Sequence, residues 1–326
     1  MNWDVVDWDV VDRLRAGFLE GTAGKNDYWR SESDLATYDE TFAQRIAWKW
    51  DYVLAELVRR HWAPPEGQVL DWGCGTGMAG RTYLKHFASP APAGLTLSDR
   101  SRLAVKFATQ RTRQAFPEVQ IRSPGEAGKP ADLLLISHVL TELTDRQLDE
   151  LLAQVQSATA VIWVEPGTHQ IGRLLIDIRE RLRSQFQVVA PCTHQAACGM
   201  LAPENDRHWC HHFVPADPQV FTDGNWVRFG HLAGIDLRSL PVSFLVLDKR
   251  PAPALPAEAV RVIGRPRVYK AYALLFGCDS ASTRDRRLMK RHFPDEFRRL
   301  KKGDLDPLQL WQCDGTDITA QSTVNG

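Results

Sequence analysis

From residue 38 to residue 60 the apolar positions fall on one helical face: Phe42, Ile46, Trp50, Val53, Leu54 and Leu57 recur mostly at intervals of three and four. This period predicts a single helix over 38–60. Pro64-Pro65-Glu66-Gly67 breaks the chain behind it. The pattern then changes to short apolar runs separated by helical stretches. Strands are predicted to end at Val69-Leu70, to span Gly94 to Ser98, weakly Val119 to Arg122, then Ala131 to Ser137 and Ala160 to Val164. Arg81 to Phe87 and Ser101 to Ala115 read as helices between them. Thr144 with Gln147 fits a capping box that starts a helix carrying Leu148, Leu151, Leu152 and Val155 inward. Thr168 is placed to cap a further helix with the face Ile171, Leu174, Leu175, Ile178 and Leu182. Such alternation predicts an α/β fold with a mostly parallel sheet.

The alternation stops at residues 190–215, which are rich in Cys, His, Pro and Asn and show no period. Val242 to Asp248 reads as a returning strand, so 190–240 is expected to be an insertion before the last strand. Pro251 to Pro256 is a linker; Val268 to Phe276 is strand-like and is followed by a charged, helical stretch. Residues 316–326 read as a disordered tail. Three parts are expected: a helical N-terminal extension at 1–65, a sheet domain at 66–250 with its Cys-rich insertion, and a small basic segment with a tail at 251–326. The pentamer Trp-Asp-Val-Val-Asp occurs at 3–7 and 8–12. It is too short for a repeat architecture and reads as an amphipathic helix or a frayed end.

Bulk properties narrow the partners. The chain has 326 residues, 44% hydrophobic and 25% charged, with formal net charge +0, so any nucleic-acid surface must be local. No apolar run approaches the roughly 20 residues of a membrane helix. Residues 1–12 carry acids and no Lys or Arg, unlike a secretory signal or a transit peptide. A cytoplasmic protein is expected, where disulfides are rare, so the six cysteines need another role. The eleven tryptophans read as packing residues.

The stretch Val69 to Gly80 joins a strand to a helix through glycines that let backbone N–H groups approach a ligand closely. Gly75-x-Gly77-x-x-Gly80 formally fits the dinucleotide fingerprint. Asp71-x-Gly73-x-Gly75-x-Gly77 instead resembles the first motif of class I S-adenosylmethionine-dependent methyltransferases. That resemblance implies a Rossmann-like sheet whose acid and glycines, Asp71, Gly73, Gly75 and Gly77, hold the methionine end of the cofactor. Asp99 closes the second strand, where a carboxylate can accept both ribose hydroxyls or cap the following helix. His138, Glu142 and Glu165 end strands four and five, the substrate edge of an open sheet. His138 and Glu165 are the candidate bases, set against packing and loop-ordering roles. The Asn/Asp-Pro-Pro-Tyr/Phe signature of many amino-methylating enzymes is absent, and so is the Pro-Cys nucleophile of cytosine-5 methylation at strand four.

Cys192, His194 and Cys198, then Cys210, His211 and His212, place three thiols and three imidazoles within 21 residues, and Cys278 follows. Four thiolates suit an iron–sulfur cluster and Cys/His selections suit zinc. The spacing fits no common zinc finger and leaves metal and inert buried thiols open. Cys74, in the Gly loop, and Cys313 stand apart.

Five stretches together carry a resemblance: Tyr38 to Leu57, Val69 to Gly77, Ser137 to Leu143, Val164 to Thr168, and Ala190-Pro191-Cys192-Thr193-His194 with Trp209-Cys210-His211. In combination the chain resembles the bacterial and mitochondrial small-ribosomal-subunit methyltransferase-like proteins over about residues 38–280. The resemblance implies action on the small ribosomal subunit or its RNA, as a methyltransferase or as an assembly factor. It also implies a [4Fe–4S] cluster on Cys192, Cys198, Cys210 and Cys278. The family's proline after the second cysteine is Gly199 here. Finally, residues 284–302 hold Arg284, Arg286, Arg287, Lys290, Arg291, Arg298, Arg299, Lys301 and Lys302 against three acids. Such a run is either a solvated face or a contact for RNA phosphates, and the resemblance favours RNA.

Overall fold

The computed structural model describes residues 1–20, 29–87, 92–122 and 130–324. They form two compact units. The first comprises Met1–Val58, Ala63–Pro166 and Val214–Leu240; the second comprises Arg59–Trp62, Gly167–Phe213 and Pro241–Gly326.

The first unit begins with α1 (Trp8–Leu19), α2 (Glu32–Glu40) and α3 (Phe42–Arg59). The single helix expected over 38–60 is therefore two. Thr41 interrupts it at φ −123° and ψ −89°, and its hydroxyl donates to the Thr37 carbonyl at 2.6 Å. A hydroxyl bonded back to the preceding turn competes with helix continuation, a local effect that the apolar period does not register. Beyond the break the period holds: Trp50, Val53, Leu54 and Leu57 are fully buried.

The sheet follows as β1 (Gln68–Trp72), α4 (Met78–Phe87), β2 (Gly94–Ser98), α5 (Arg102–Ala115), β3 (Ile121–Arg122), β4 (Leu133–Ser137), α6 (Asp145–Ser157) and β5 (Ala160–Pro166). The strands lie in the order β3-β2-β1-β4-β5, every pair parallel. This is the order of a doubly wound, Rossmann-like α/β sheet. Leu133, Leu135, Ile136 and Val161 to Val164 are fully buried, as parallel strands covered on both faces require. The capping box forms: the Thr144 N–H donates to the Gln147 side chain at 3.0 Å while Thr144 caps the Gln147 N–H. Ser101, one residue ahead of α5, is that helix's cap, so Asp99 is not.

Two helices from the expected insertion complete this unit, α8 (Gln219–Thr222) and α9 (Gly224–Ala233). Trp226 and Phe229 of α9 share a core with Val11, Leu14, Leu35 and Phe42. Trp3 meets Trp226 edge-on at 5.1 Å, and Trp48 meets it at 5.0 Å. The repeated pentamer thus leads into an amphipathic helix whose Val10, Val11 and Leu14 are buried.

The second unit contains α7 (His169–Leu182), β6 (Gln187–Ala190), β7 (His212–Val214) and β8 (Leu240–Asp248). Thr168 precedes α7 as expected, but its side chain makes no capping bond. The returning strand β8 runs antiparallel to β6. Then come β9 (Ala259–Val268), β10 (Tyr272–Cys278), β11 (Thr283–Met289), α10 (Pro294–Lys302), β12 (Leu308–Asp314) and β13 (Asp317–Thr323), whose strands close a barrel in the order β10-β11-β13-β12-β9. Two expectations are corrected here. The disordered tail at 316–326 is strand β13, with Ile318 1% exposed in the barrel core; residues 325–326 lie outside the described residues. The charged stretch after Phe276 is helical only in α10, because Thr283 to Met289 pair with β10. Four consecutive charged side chains, Arg284 to Arg287, conceal the alternation of β11. Val260, Val262, Leu275, Leu288, Phe297 and Trp311 fill the barrel. Among the described residues no helix is long and apolar enough to cross a membrane.

Candidate functional site

The turn after β1 is built as its glycines suggest. Gly73, Gly75 and Gly77 adopt φ of +66°, +50° and +78°, which side chains other than glycine resist. The Cys74 N–H donates to the Ser98 carbonyl at 2.9 Å, and the Gly77 N–H to the Cys74 carbonyl at 2.7 Å, fixing the loop against β2. A cavity of about 410 Å³ opens over it, lined among others by Trp29, Tyr38, Gly73, Gly75, Asp99 and Glu142. Its size falls in the range of small-ligand pockets. A Cβ on Gly75 would meet nothing within 4 Å, so the bare backbone there faces open space.

The acids divide by role. Asp71 is fully buried, and one of its oxygens accepts the Gly80 N–H at 2.9 Å while the other has no partner among the described residues. Burial raises its carboxyl to about 7. Asp71 does not line the cavity; it pins the turn by gripping the first turn of α4. Gly80 is required by that grip, since a Cβ there would stand 2.9 Å from the Asp71 oxygen. Asp99 does line the cavity. Its two oxygens accept the Gly75 N–H and the Ser101 N–H, each at 2.9 Å, which holds the carboxylate at the rim of the cavity.

Of the two candidate bases, only His138 lines the cavity. It sits at φ +55°, a strained value for a residue with a side chain. Its Nε2 lies 3.1 Å from Lys49 Nζ. Burial, with Lys49 and Arg45 nearby, holds the imidazole well below its ordinary pKa, so it is neutral. Glu165 is instead a loop-ordering acid. One oxygen accepts Trp163 Nε1–H at 2.8 Å and the Val139 and Leu140 N–H groups at 3.1 and 3.2 Å. Burial raises its carboxyl to about 7. Lys49 is a residue the sequence reading missed. Burial lowers its ammonium to about 7. Its position between Ile46 and Val53, on the apolar face of α3, was the available signal.

The second unit gathers the four cysteines. Cys198, Cys210 and Cys278 pack with Ile176, Met200, Ile263 and Phe276, and Cys192, Cys198 and Cys210 line one small cavity. None is in a disulfide. Burial raises the Cys198 thiol to about 11 and the Cys278 thiol to about 12, and in both Cys192 adds to the rise. His194 Nε2 lies 3.7 Å from Cys278 Sγ, and His212 Nε2 lies 3.8 Å from Cys210 Sγ. Arg179 of α7, 2% exposed, directs Nε to Cys192 Sγ at 3.3 Å and donates to the Ala196 carbonyl at 2.9 Å. Arg60 donates to the Val189, Pro191 and Cys192 carbonyls. Both arginines escaped the sequence reading, which saw only charged helix positions. Among the described residues no group of three or more His, Cys, Asp or Glu side chains is arranged to hold a single metal ion. The geometry therefore adds no support for zinc or for an iron–sulfur cluster.

The basic run is dispersed. Arg286 is buried and donates to the Gly315 carbonyl at 2.7 Å and to the Ser282 hydroxyl at 3.1 Å, so it is a structural residue of the barrel. Arg298 and Arg299 of α10 pair with Asp295 and Asp304. Arg284, Arg287, Lys290 and Arg291 are exposed on or just after β11, Arg287 being paired with Asp317 at 2.8 Å.

A sequence model of the family described as mitochondrial small ribosomal subunit Rsm22 matches residues 54–306. No curated protein matches the chain significantly. Among solved structures, the magnesium protoporphyrin IX methyltransferase of Synechocystis PCC 6803 with bound S-adenosylhomocysteine is 14% identical, covering 75% of this chain and 100% of that chain at a TM-score of 0.40. The plantazolicin methyltransferase BpumL in complex with S-adenosylhomocysteine is 14% identical over 74% and 98% of the two chains, at 0.40. The precorrin-6y C5,15-methyltransferase of Geobacter metallireducens is 11% identical over 61% and 88%, at 0.37.

Proposed function

The chain belongs to the Rsm22 family, and from that premise we propose that it binds S-adenosylmethionine at the Gly loop and acts on the small ribosomal subunit, as a methyltransferase of its RNA. The observation that carries this reading is the cavity of about 410 Å³ over three left-handed glycines. The residues suit the cofactor. Gly73 and Gly75 offer bare backbone, and Asp99 offers acceptors to ribose hydroxyls. Asp71 and Glu165 hold the two loops that shape the cavity, and the neutral His138 is the one candidate base that faces it. The cofactor, when bound, supplies an electrophilic methyl group. Calorimetry with S-adenosylmethionine and with NAD tests the binding; preference for NAD would replace this reading with a dinucleotide-dependent redox enzyme. Mapping ribosomal RNA modification in cells with and without the gene tests the transfer.

A second reading has its own support. His138 is engaged by Lys49, and Glu165 is turned to backbone N–H groups, so neither of the two candidate bases stands ready to take a proton from a ligand. On this reading the protein is an assembly factor that uses the cofactor for stability. An unchanged modification map beside defective small subunits would decide for it.

We further propose that Cys192, Cys198, Cys210 and Cys278 hold a [4Fe–4S] cluster. Support comes from the donor set: four thiols free of disulfides share one apolar region, with the Arg179 cation beside Cys192 to offset negative charge. A cluster stands between its ligands, which then lie further apart than those of a single ion. Bound there, it would cross-link the Cys-rich segment to β10. Anaerobic purification should yield iron and sulfide that fall on Cys278→Ser. A colourless protein with stoichiometric zinc, or full cluster retention in that variant, would overturn the assignment.

A further inference from the structure

The C-terminal barrel has a topology that the basic run alone does not reveal. Counted from β9, its strands pair in the order one-two-three-five-four and back to one, with α10 between the third and fourth. The third and fifth strands, β11 and β13, are parallel, and the other pairs are antiparallel. This is the five-stranded Greek-key barrel of the oligonucleotide- and oligosaccharide-binding fold, whose ligands lie across strands two and three and the loops joining one to two and four to five.

Those positions carry a coherent chemistry here. The loop between β9 and β10 holds Tyr269, 46% exposed, whose ring stacks on Tyr272 with centroids 4.8 Å apart. Lys270 at its tip is exposed, and the Ala271 carbonyl accepts the Lys290 N–H at 3.0 Å, which sets Lys290 beside that loop. Leu274 of β10 faces Arg267 of β9 on one side and Arg287 of β11 on the other. Arg267 pairs with Asp285 and Arg287 with Asp317, and both guanidinium groups remain nearly half exposed. The far half of β10 is covered: Phe276 stacks on His208 at 4.4 Å, and Cys278 faces the Cys-rich segment. What stays open is a short strip with an aromatic pair among four cations.

We propose that this strip binds single-stranded RNA, with bases stacking on Tyr269 and Tyr272 and phosphates meeting Arg267, Lys270, Arg287 and Lys290. Aromatic platforms beside cationic side chains are how such barrels hold single strands, and a rigid duplex cannot offer its bases to them. The inference rests on the reading that the chain acts on ribosomal RNA, and it moves the contact from the α10 arginines to the face of β10 and β11.

Fluorescence anisotropy on the full chain tests it, using a labelled 12-nucleotide oligouridine and an RNA hairpin of equal length. The single strand should bind at least tenfold more tightly than the hairpin. Tyr269→Ala with Tyr272→Ala should weaken it at least tenfold, Phe at both positions should restore it, and Arg298→Ala with Arg299→Ala should change it less than twofold. Thermal melts verify that the variants fold, and Tyr269→Ala alone, at an exposed loop position, gives the same test if the pair does not. Equal binding of the hairpin, or indifference to the tyrosines with sensitivity to Arg298 and Arg299, overturns the strip while leaving ribosomal RNA as the target. Failure of the unaltered protein to bind either RNA or isolated small subunits defeats the ribosomal reading itself.

Discussion

Replacing Glu165 by Gln and by Ala separates loop ordering from proton transfer. One oxygen of this fully buried carboxyl accepts three N–H groups. Burial raises it from 4.5 to about 7, with Lys49 the charged neighbour that opposes the rise. Between those values the folded protein binds a proton that the unfolded chain has released. The contribution to stability is therefore full below about 4.5 and is lost as pH rises toward 7, after which it is flat. A gap of about 2.5 units corresponds to roughly 3 kcal/mol. Gln keeps the accepting oxygen and cannot ionise, so Glu165→Gln should lack this fall. From pH 5 to pH 8 it should gain about 2–3 kcal/mol on the parent protein. Ala leaves three buried donors unpaired, at about 1–3 kcal/mol each, and should lose at least roughly 3 kcal/mol at either pH. Urea denaturation followed by tryptophan fluorescence at a series of pH values measures both. If Gln at pH 8 is as damaging as Ala, the carboxyl is needed as an anion and the reasoning fails. If Gln folds and binds S-adenosylmethionine but abolishes methyl transfer, Glu165 moves a proton after all.

Four further outcomes are expected. Gly75→Val should lose S-adenosylmethionine binding by more than tenfold in calorimetry, because its side chain enters the cavity, while the left-handed backbone costs only about 1–2 kcal/mol of stability. Gly80→Ala should lower stability by about 1–3 kcal/mol, since its Cβ would press on Asp71 and Leu95; an unchanged melting temperature would mean the turn gives way freely. Trp226→Ala should cost about 3–5 kcal/mol by chemical denaturation, because α9 is a core helix and not a loose part of an insertion. Ile318→Asp should destabilise the barrel enough to expose it to limited proteolysis, whereas indifference would return residues 317–323 to a tail.

The sheet was legible because its elements are marked at their ends: Asp71 before the glycines, Asp99 at the end of the second strand, and Thr144 with Gln147 at the start of a helix. Each of those signals is local. What stayed hidden depended on partners distant in sequence. Whether Glu165 faces a ligand or a backbone cannot be told from its position at a strand end, because Val139 and Leu140 arrive from another strand's loop. Arg179 and Arg286 look like surface charges in a helix and a basic run, yet each is buried against carbonyls or sulfur that the fold brings to it. The barrel escaped for the same reason. Thr-Arg-Asp-Arg-Arg has no apolar alternation, and only pairing with β10 makes it a strand. The five sequence stretches that carried the family resemblance led to the same family as the match over 54–306.

The spacing of the four thiols has a consequence for the order of folding. Cys192 and Cys210 are separated by 210 − 192 = 18 positions, and Cys192 and Cys278 by 278 − 192 = 86. Contacts within short loops form early, and those that close long ones form late. Three thiols can therefore gather while the barrel is still incomplete, and the fourth arrives only when β10 has found its place. A site that needs all four reports that the barrel is built. On the proposed cluster assignment, occupancy of the four thiols would mark chains whose barrel has finished folding.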